Sequence, residues 1–139
     1  MAAGNLPGVR PSVLLIEDDL EALAIFGQIL RENGFEARMA ATAEDGLREL
    51  EAGPPAAIVL DLRLPTLDGI EVLRRIRAAP RLASTPVTVI TADYLIDEDI
   101  LAEIEALGAH LRFKPIWEED LLQIVHGHRW PGLVPPVTP

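Results

Sequence analysis

The stretch Ala56–Leu60, AAIVL, followed at once by Asp61, carries the reading of the fold. Five apolar residues sit between a breaker, Gly53-Pro54-Pro55, and a polar loop, Asp61–Asp68. A short continuous apolar run bounded by turn signals suits a strand buried on both faces, and such strands belong to parallel sheets. Periodicity alone leaves a buried helix open. Two further runs of the same kind flank it: Val13–Ile16 (VLLI) upstream and Val87–Ile90 (VTVI), introduced by Pro86, downstream. Phe35–Met39 reads weakly as a strand, and Leu111–Phe113 as a short one.

Helical periods fill the intervals. Leu23, Phe26, Gly27 and Leu30 fall at i, i+3, i+4, i+7, and Asn33-Gly34 is a C-terminal stop. Thr42 with Asp45 resembles a capping box with a shortened acid, opening a helix that buries Gly46, Leu47 and Leu50. Asp68 caps a helix through Ile70, Leu73 and Ile76, with Arg74, Arg75 and Arg77 expected toward solvent. A helix from about Asp97 carries Ile100, Ile104 and Leu107 and ends at Gly108; Leu121, Leu122 and Val125 mark the last one. Five strands alternating with five helices imply an α/β fold: a parallel sheet, helices on both faces, right-handed crossovers.

Composition narrows the function classes. The 139 residues hold 12 Lys+Arg against 22 Asp+Glu, a formal net charge of −10. That balance argues against direct nucleic-acid binding, which leaves a basic footprint. With 49% hydrophobic and 24% charged residues the chain is globular, and with only 4% aromatics its core is aliphatic. The absence of cysteine excludes disulfides, thiolate metal sites and a cysteine nucleophile. No apolar run nears the roughly 18 residues of a membrane span, and Met1–Arg10 has no signal-peptide core. The expected location is the cytoplasm, with no membrane partner. The expected organisation is a loose segment over 1–11, one domain over 12–127 and a Pro-rich tail over 128–139.

In such sheets the ligand site lies beyond the carboxyl ends of the strands. The residues at those ends are Glu17, Asp18 and Asp19 after VLLI, Asp61 after AAIVL, Thr91 after VTVI, and Lys114 after Phe113. Singly, each reads as well as a helix cap, a strand end or a turn. Together they place at least three carboxylates, a hydroxyl and an ammonium on one rim. Clustered carboxylates repel and raise one another's pKa unless a cation neutralises them. A hard divalent cation with oxygen ligands, such as Mg²⁺, fits.

This constellation resembles the receiver domain of two-component response regulators. The carriers are VLLIEDD (13–19), IVLDLRLPTLDG (58–69), VTVITA (87–92) and FKPI (113–116), in order and each at a strand end. The resemblance implies a flavodoxin-like (CheY-like) doubly wound sheet of order 2-1-3-4-5. It implies that Asp61 accepts a phosphoryl group from a sensor histidine kinase or histidine phosphotransfer protein. It implies Mg²⁺ held by Glu17, Asp18, Asp61 and the backbone carbonyl of Arg63, with Asp18 the inner member of the acidic pair. Thr91 and Lys114 then contact the phosphoryl group, and the Lys114–Pro115 peptide is cis. Asp19 matches no direct role. The downstream protein is unspecified, and a homodimer stays open.

The chain departs from that pattern in two places. Three residues before the lysine, where the family commonly has Tyr or Phe, stands Leu111, which reads as a core residue. Thr91 lies 17 positions before Gly108 and Gly108 lies 6 before Lys114, so the region after the fourth strand is expected to be remodelled over 93–99. Besides a phosphorylatable receiver, two alternatives stand. One is a pseudo-receiver, a docking module that acts without phosphorylation. The other is an aspartyl phosphatase of the haloacid-dehalogenase type, disfavoured because Arg63 occupies the position of its second acid. The signalling reading makes the chain a non-enzyme that carries only phosphoryl-transfer chemistry.

Overall fold

The computed structural model describes residues 10–127. The chain runs β1 (Ser12–Ile16), α1 (Leu20–Glu32), β2 (Glu36–Ala40), α2 (Ala43–Ala52), β3 (Ala57–Asp61), α3 (Gly69–Ala78), β4 (Val87–Thr91), α4 (Glu98–Ala106), β5 (His110–Phe113) and α5 (Glu118–His126), with a 3-10 turn at Pro80–Leu82. The strands pair in parallel in the order β2-β1-β3-β4-β5. This is the doubly wound α/β architecture the sequence implies. The readings of 128–139 and of nearly all of the segment 1–11 lie outside the described residues; Pro11 itself accepts from the Glu36 N–H at 2.9 Å.

Alternation along the central strands builds the two faces of the core. Val13 and Leu15 of β1 and Val59 of β3 pack with Phe26, Leu30, Leu121 and Val125 on the α1/α5 side. Leu14, Ile16, Ile58 and Leu60 pack with Leu50, Leu73, Ile76 and Ile104 on the α2/α3/α4 side. Each such side chain removed from water contributes about 1.5–3 kcal/mol. The strands β3 and β4 are buried at every position, whereas the edge strands β2 and β5 are mostly half-buried or exposed. That is why β2 reads weakly in sequence.

Several local expectations are refined. β2 starts at Glu36 rather than Phe35, because the Phe35 N–H closes the end of α1 on the Leu30 carbonyl at 3.0 Å. At α2 the Thr42 hydroxyl accepts from the Asp45 N–H at 3.0 Å, but the Asp45 carboxylate turns to Arg48, so only half of a capping box forms. Leu47 is half-buried. Arg77 does not face solvent: its guanidinium donates to the carbonyls of Leu107 (2.6 Å), Leu82 (3.0 Å) and Thr85 (2.8 Å). Leu111 is half-buried on an edge strand instead of a full core residue. Gly69 is obligatory in kind, since a Cβ there would run into the Asp61 carbonyl and the Leu62 backbone. The pair Asp68-Gly69 thereby seats α3 directly behind β3.

Candidate functional site

The carboxyl ends of β1, β3, β4 and β5 converge on one rim. Asp61 is the last residue of β3, not the first of its loop, and it pairs in register with Ile90. Thr91 likewise ends β4. Glu17 follows β1 directly, its N–H donating to the Ala40 carbonyl at 3.0 Å. Burial separates these groups: Glu17 is 2% exposed, Asp61 4% and Thr91 0%, while Asp18 is exposed.

Lys114 ties the rim together. Its ammonium donates to Glu17 Oε1 at 2.8 Å and to Asp61 Oδ2 at 2.9 Å. The other Asp61 oxygen, Oδ1, accepts from the Arg63 N–H at 3.0 Å. The Lys114 N–H in turn donates to the Thr91 carbonyl at 2.7 Å, extending the β4/β5 ladder to the site. The Lys114–Pro115 peptide is cis, as the resemblance implies.

Two groups carry perturbed acidities. Burial, then the hydrogen bond and charge of Asp61, push the Glu17 carboxyl up to about 7, against the opposing pull of Lys114. For Lys114, burial pulls the pKa down, but its bonds to Glu17 and Asp61 outweigh that, and the ammonium is held above its ordinary range. Carboxylate oxygens of Glu17, Asp18 and Asp61 all lie within 4.8 Å of one another. An all-oxygen, all-carboxylate set of this size fits a hard divalent cation better than a soft one.

Asp19, without a role by resemblance, is the N-cap of α1: its Oδ1 accepts from the N–H groups of Glu21 (3.0 Å) and Ala22 (3.2 Å). Two features were not legible in advance. The Arg63 side chain reaches Asp93 at 2.9 Å and Asp68 at 3.4 Å, spanning the loops on either side of Asp61. Tyr94, the chain's only tyrosine, donates its hydroxyl to the Lys114 carbonyl and stacks on Phe113, ring centroids 5.2 Å apart. Arg63 and its partner Asp93 lie 30 residues apart in sequence. Tyr94 had no signal beyond being a lone aromatic after Thr91.

A five-stranded parallel sheet with an acidic pocket and a lysine at its carboxyl edge defines a class of signalling domains. The family described as "Response regulator receiver domain" matches residues 13–126, and the chain belongs to that family. Among solved structures, a CheY-like response regulator receiver domain protein from Methanospirillum hungatei superposes with a TM-score of 0.78 at 25% identity, covering 85% of this chain and 92% of that one. A response regulator receiver protein from Pseudomonas putida gives 0.77 at 27% identity, covering 85% and 97%. Among relatives, the transcriptional regulatory protein PrrA of Mycobacterium tuberculosis is 37% identical over 112 residues, 81% of this chain and 47% of that protein. AfsQ1 of Streptomyces coelicolor, also a transcriptional regulatory protein, is 39% identical over 106 residues, 76% and 45% respectively. The chain spans about half the length of the curated relatives it matches. Among the described residues no helix is long and apolar enough to cross a membrane.

Proposed function

We propose that the domain accepts a phosphoryl group on Asp61 from a sensor histidine kinase or histidine phosphotransfer protein, in the cytoplasm, and thereby changes its contacts with a downstream protein. The observation that carries this reading is the Lys114 ammonium 2.9 Å from a carboxylate that is 4% exposed at the end of the central strand. A buried carboxylate with both oxygens fixed in direction is a positioned nucleophile. One Asp61 oxygen forms the new bond to phosphorus as the donor's bond breaks and its leaving group departs with the electron pair. Lys114 offsets the charge spread over the transferring group. Glu17, Asp18, Asp61 and the Arg63 carbonyl would hold Mg²⁺, which when bound supplies further neutralisation of phosphoryl charge. The Thr91 hydroxyl, which accepts from the Asp93 N–H at 3.0 Å, carries a proton that it can donate to an oxygen of the adduct by turning toward it. By kinship with transcriptional regulators, the partner so controlled is an output domain or a separate effector.

Incubation with Mg²⁺ and acetyl phosphate, followed by mass spectrometry, tests the reading. A mass gain at Asp61 that Asp61→Asn abolishes is the expected result. Equal labelling of that variant places the acceptor elsewhere. No labelling of the wild-type chain favours the docking module that never carries phosphate.

A further inference from the structure

Thr91 ends β4 and Lys114 follows β5, yet one short segment ties them together on the outer surface. The turn after β4 hangs on site residues: the Asp93 N–H donates to Thr91 Oγ1 at 3.0 Å, and Arg63 donates to Asp93 Oδ2 at 2.9 Å. Asp93 Oδ1 then accepts from the Leu95 N–H at 3.0 Å. Tyr94 sits in the middle of this turn and closes it, its hydroxyl on the Lys114 carbonyl and its ring on Phe113. Tyr94 is 64% exposed and its neighbour Leu95 is 91% exposed, so few apolar contacts hold either of them. One hydrogen bond and one stack make a reversible contact.

We infer that Tyr94 is a latch on the unmodified state: it pins the 93–95 turn to Lys114, and a phosphoryl group on Asp61 releases it. The inference rests on Asp61 being the acceptor. A phosphoryl group there offers oxygens to both the Thr91 hydroxyl and the Lys114 ammonium. When the hydroxyl turns to it, the Asp93 N–H loses its acceptor, and the turn that carries Tyr94 loses its inner anchor. Lys114, drawn toward the adduct, carries the outer anchor with it. A contact made in only one of two states biases the equilibrium between them, and the bias is reciprocal. Removing the latch therefore makes the modified state easier to reach, whereas the loss of a merely structural contact weakens the site.

The chain's single tyrosine makes the test site-specific. In protein labelled with 3-fluorotyrosine, the one fluorine resonance is expected to shift when beryllofluoride and Mg²⁺ are added, and to stay put in Asp61→Asn. In calorimetry, Tyr94→Phe, which keeps the ring and deletes the hydroxyl, is expected to bind beryllofluoride with Mg²⁺ roughly two- to tenfold more tightly than wild type, the factor one hydrogen bond carries. An unmoved resonance in wild-type protein that labels at Asp61 overturns the latch and leaves the phosphoacceptor intact. Unchanged or weaker beryllofluoride binding by Tyr94→Phe does the same. A wild-type chain that neither labels nor binds beryllofluoride overturns both.

Discussion

α3 and α4 lie side by side on one face of the sheet, and they are held by different means. α3 buries Gly69, Ile70, Val72, Leu73 and Ile76; of the nine residues of α4 only Ile104 is buried. Where α4 lacks apolar contact, arginines of α3 tether it at a few polar points. Arg74 grips Glu103 through two bonds of 2.5 and 2.7 Å, and Arg77 holds the Leu107 carbonyl at the helix end. Apolar burial is non-directional and strong, whereas a polar tether acts only at its own geometry. The centre of the molecule is thus fixed by packing, and its α4 flank is pinned at a few points. A flank of that kind opens at lower free energy than the core it leans on. It is also the flank that begins at the turn carrying Asp93 and Tyr94.

The largest expected effect lies on the packed side. Leu73 is fully buried, and Leu73→Ala is expected to lower unfolding free energy by about 2–5 kcal/mol. Urea denaturation measures it. A cost under about 1 kcal/mol would break the contrast by showing that α3 too is loosely held.

The second effect concerns the charge buried in that centre. Unfolded, Glu17 loses its proton near its ordinary 4.5; folded and metal-free, near 7. Between those values the folded state binds more protons, so stability falls as pH rises, with the contribution complete below 4.5 and gone above about 7. The interval amounts to at most about 3 kcal/mol. Melting temperature against pH in chelator is expected to decline across this window and to flatten in Glu17→Gln. A wild-type profile as flat as the variant's would show that Lys114 fully offsets the burial.

Much of this centre is legible in the residues themselves. AAIVL and VTVI read as strands because burial on both faces leaves no polar position to blur the run, and the carboxyl-edge rule then gathers Asp61, Thr91 and Lys114 from across the chain. Glu17 and Asp18 show where such reading stops: adjacent acids of equal chemistry, one enclosed by β2 and Lys114, the other in solvent. Arg77 looks in sequence like its neighbours Arg74 and Arg75, since all three lie on the polar side of α3. Its half-buried role depends on carbonyls at 82, 85 and 107 that only the folded loops bring near. Tyr94 escaped for the same reason, its partners Phe113 and Lys114 being 19 and 20 residues away.

Arg77 supplies the third way to probe the contrast. Burial lowers its pKa from the usual arginine value, and its donors reach the carbonyls of Leu107, Thr85 and Leu82, the last of which also accepts from the Thr85 N–H at 3.2 Å. Arg77→Met keeps the apolar stem and removes the donors. The expected cost is about 1–3 kcal/mol, for the Leu107 and Thr85 carbonyls that lose the guanidinium. Amide exchange is expected to accelerate over 98–108 while 69–76 stays protected. Equal acceleration of both helices would mean that α3 and α4 open as one unit.

The smallest effect sharpens the contrast from the α4 side. Leu101 lies on α4 with 38% of its surface in solvent, and it is absent from both buried clusters. Truncation removes part of an apolar contact already half in water. It also places alanine, the strongest helix former, in a helix of nine residues, and the two terms oppose each other. Leu101→Ala is therefore expected to change unfolding free energy by less than about 0.5 kcal/mol, although it deletes the same atoms as Leu73→Ala. The paired urea midpoints make the comparison free of side-chain chemistry, so that what differs is burial alone. A cost above about 1.5 kcal/mol at Leu101 would place that side chain in a packed environment. Were that cost to grow with protein concentration, the covering surface would be a second copy of the chain, because stabilisation by a partner follows mass action.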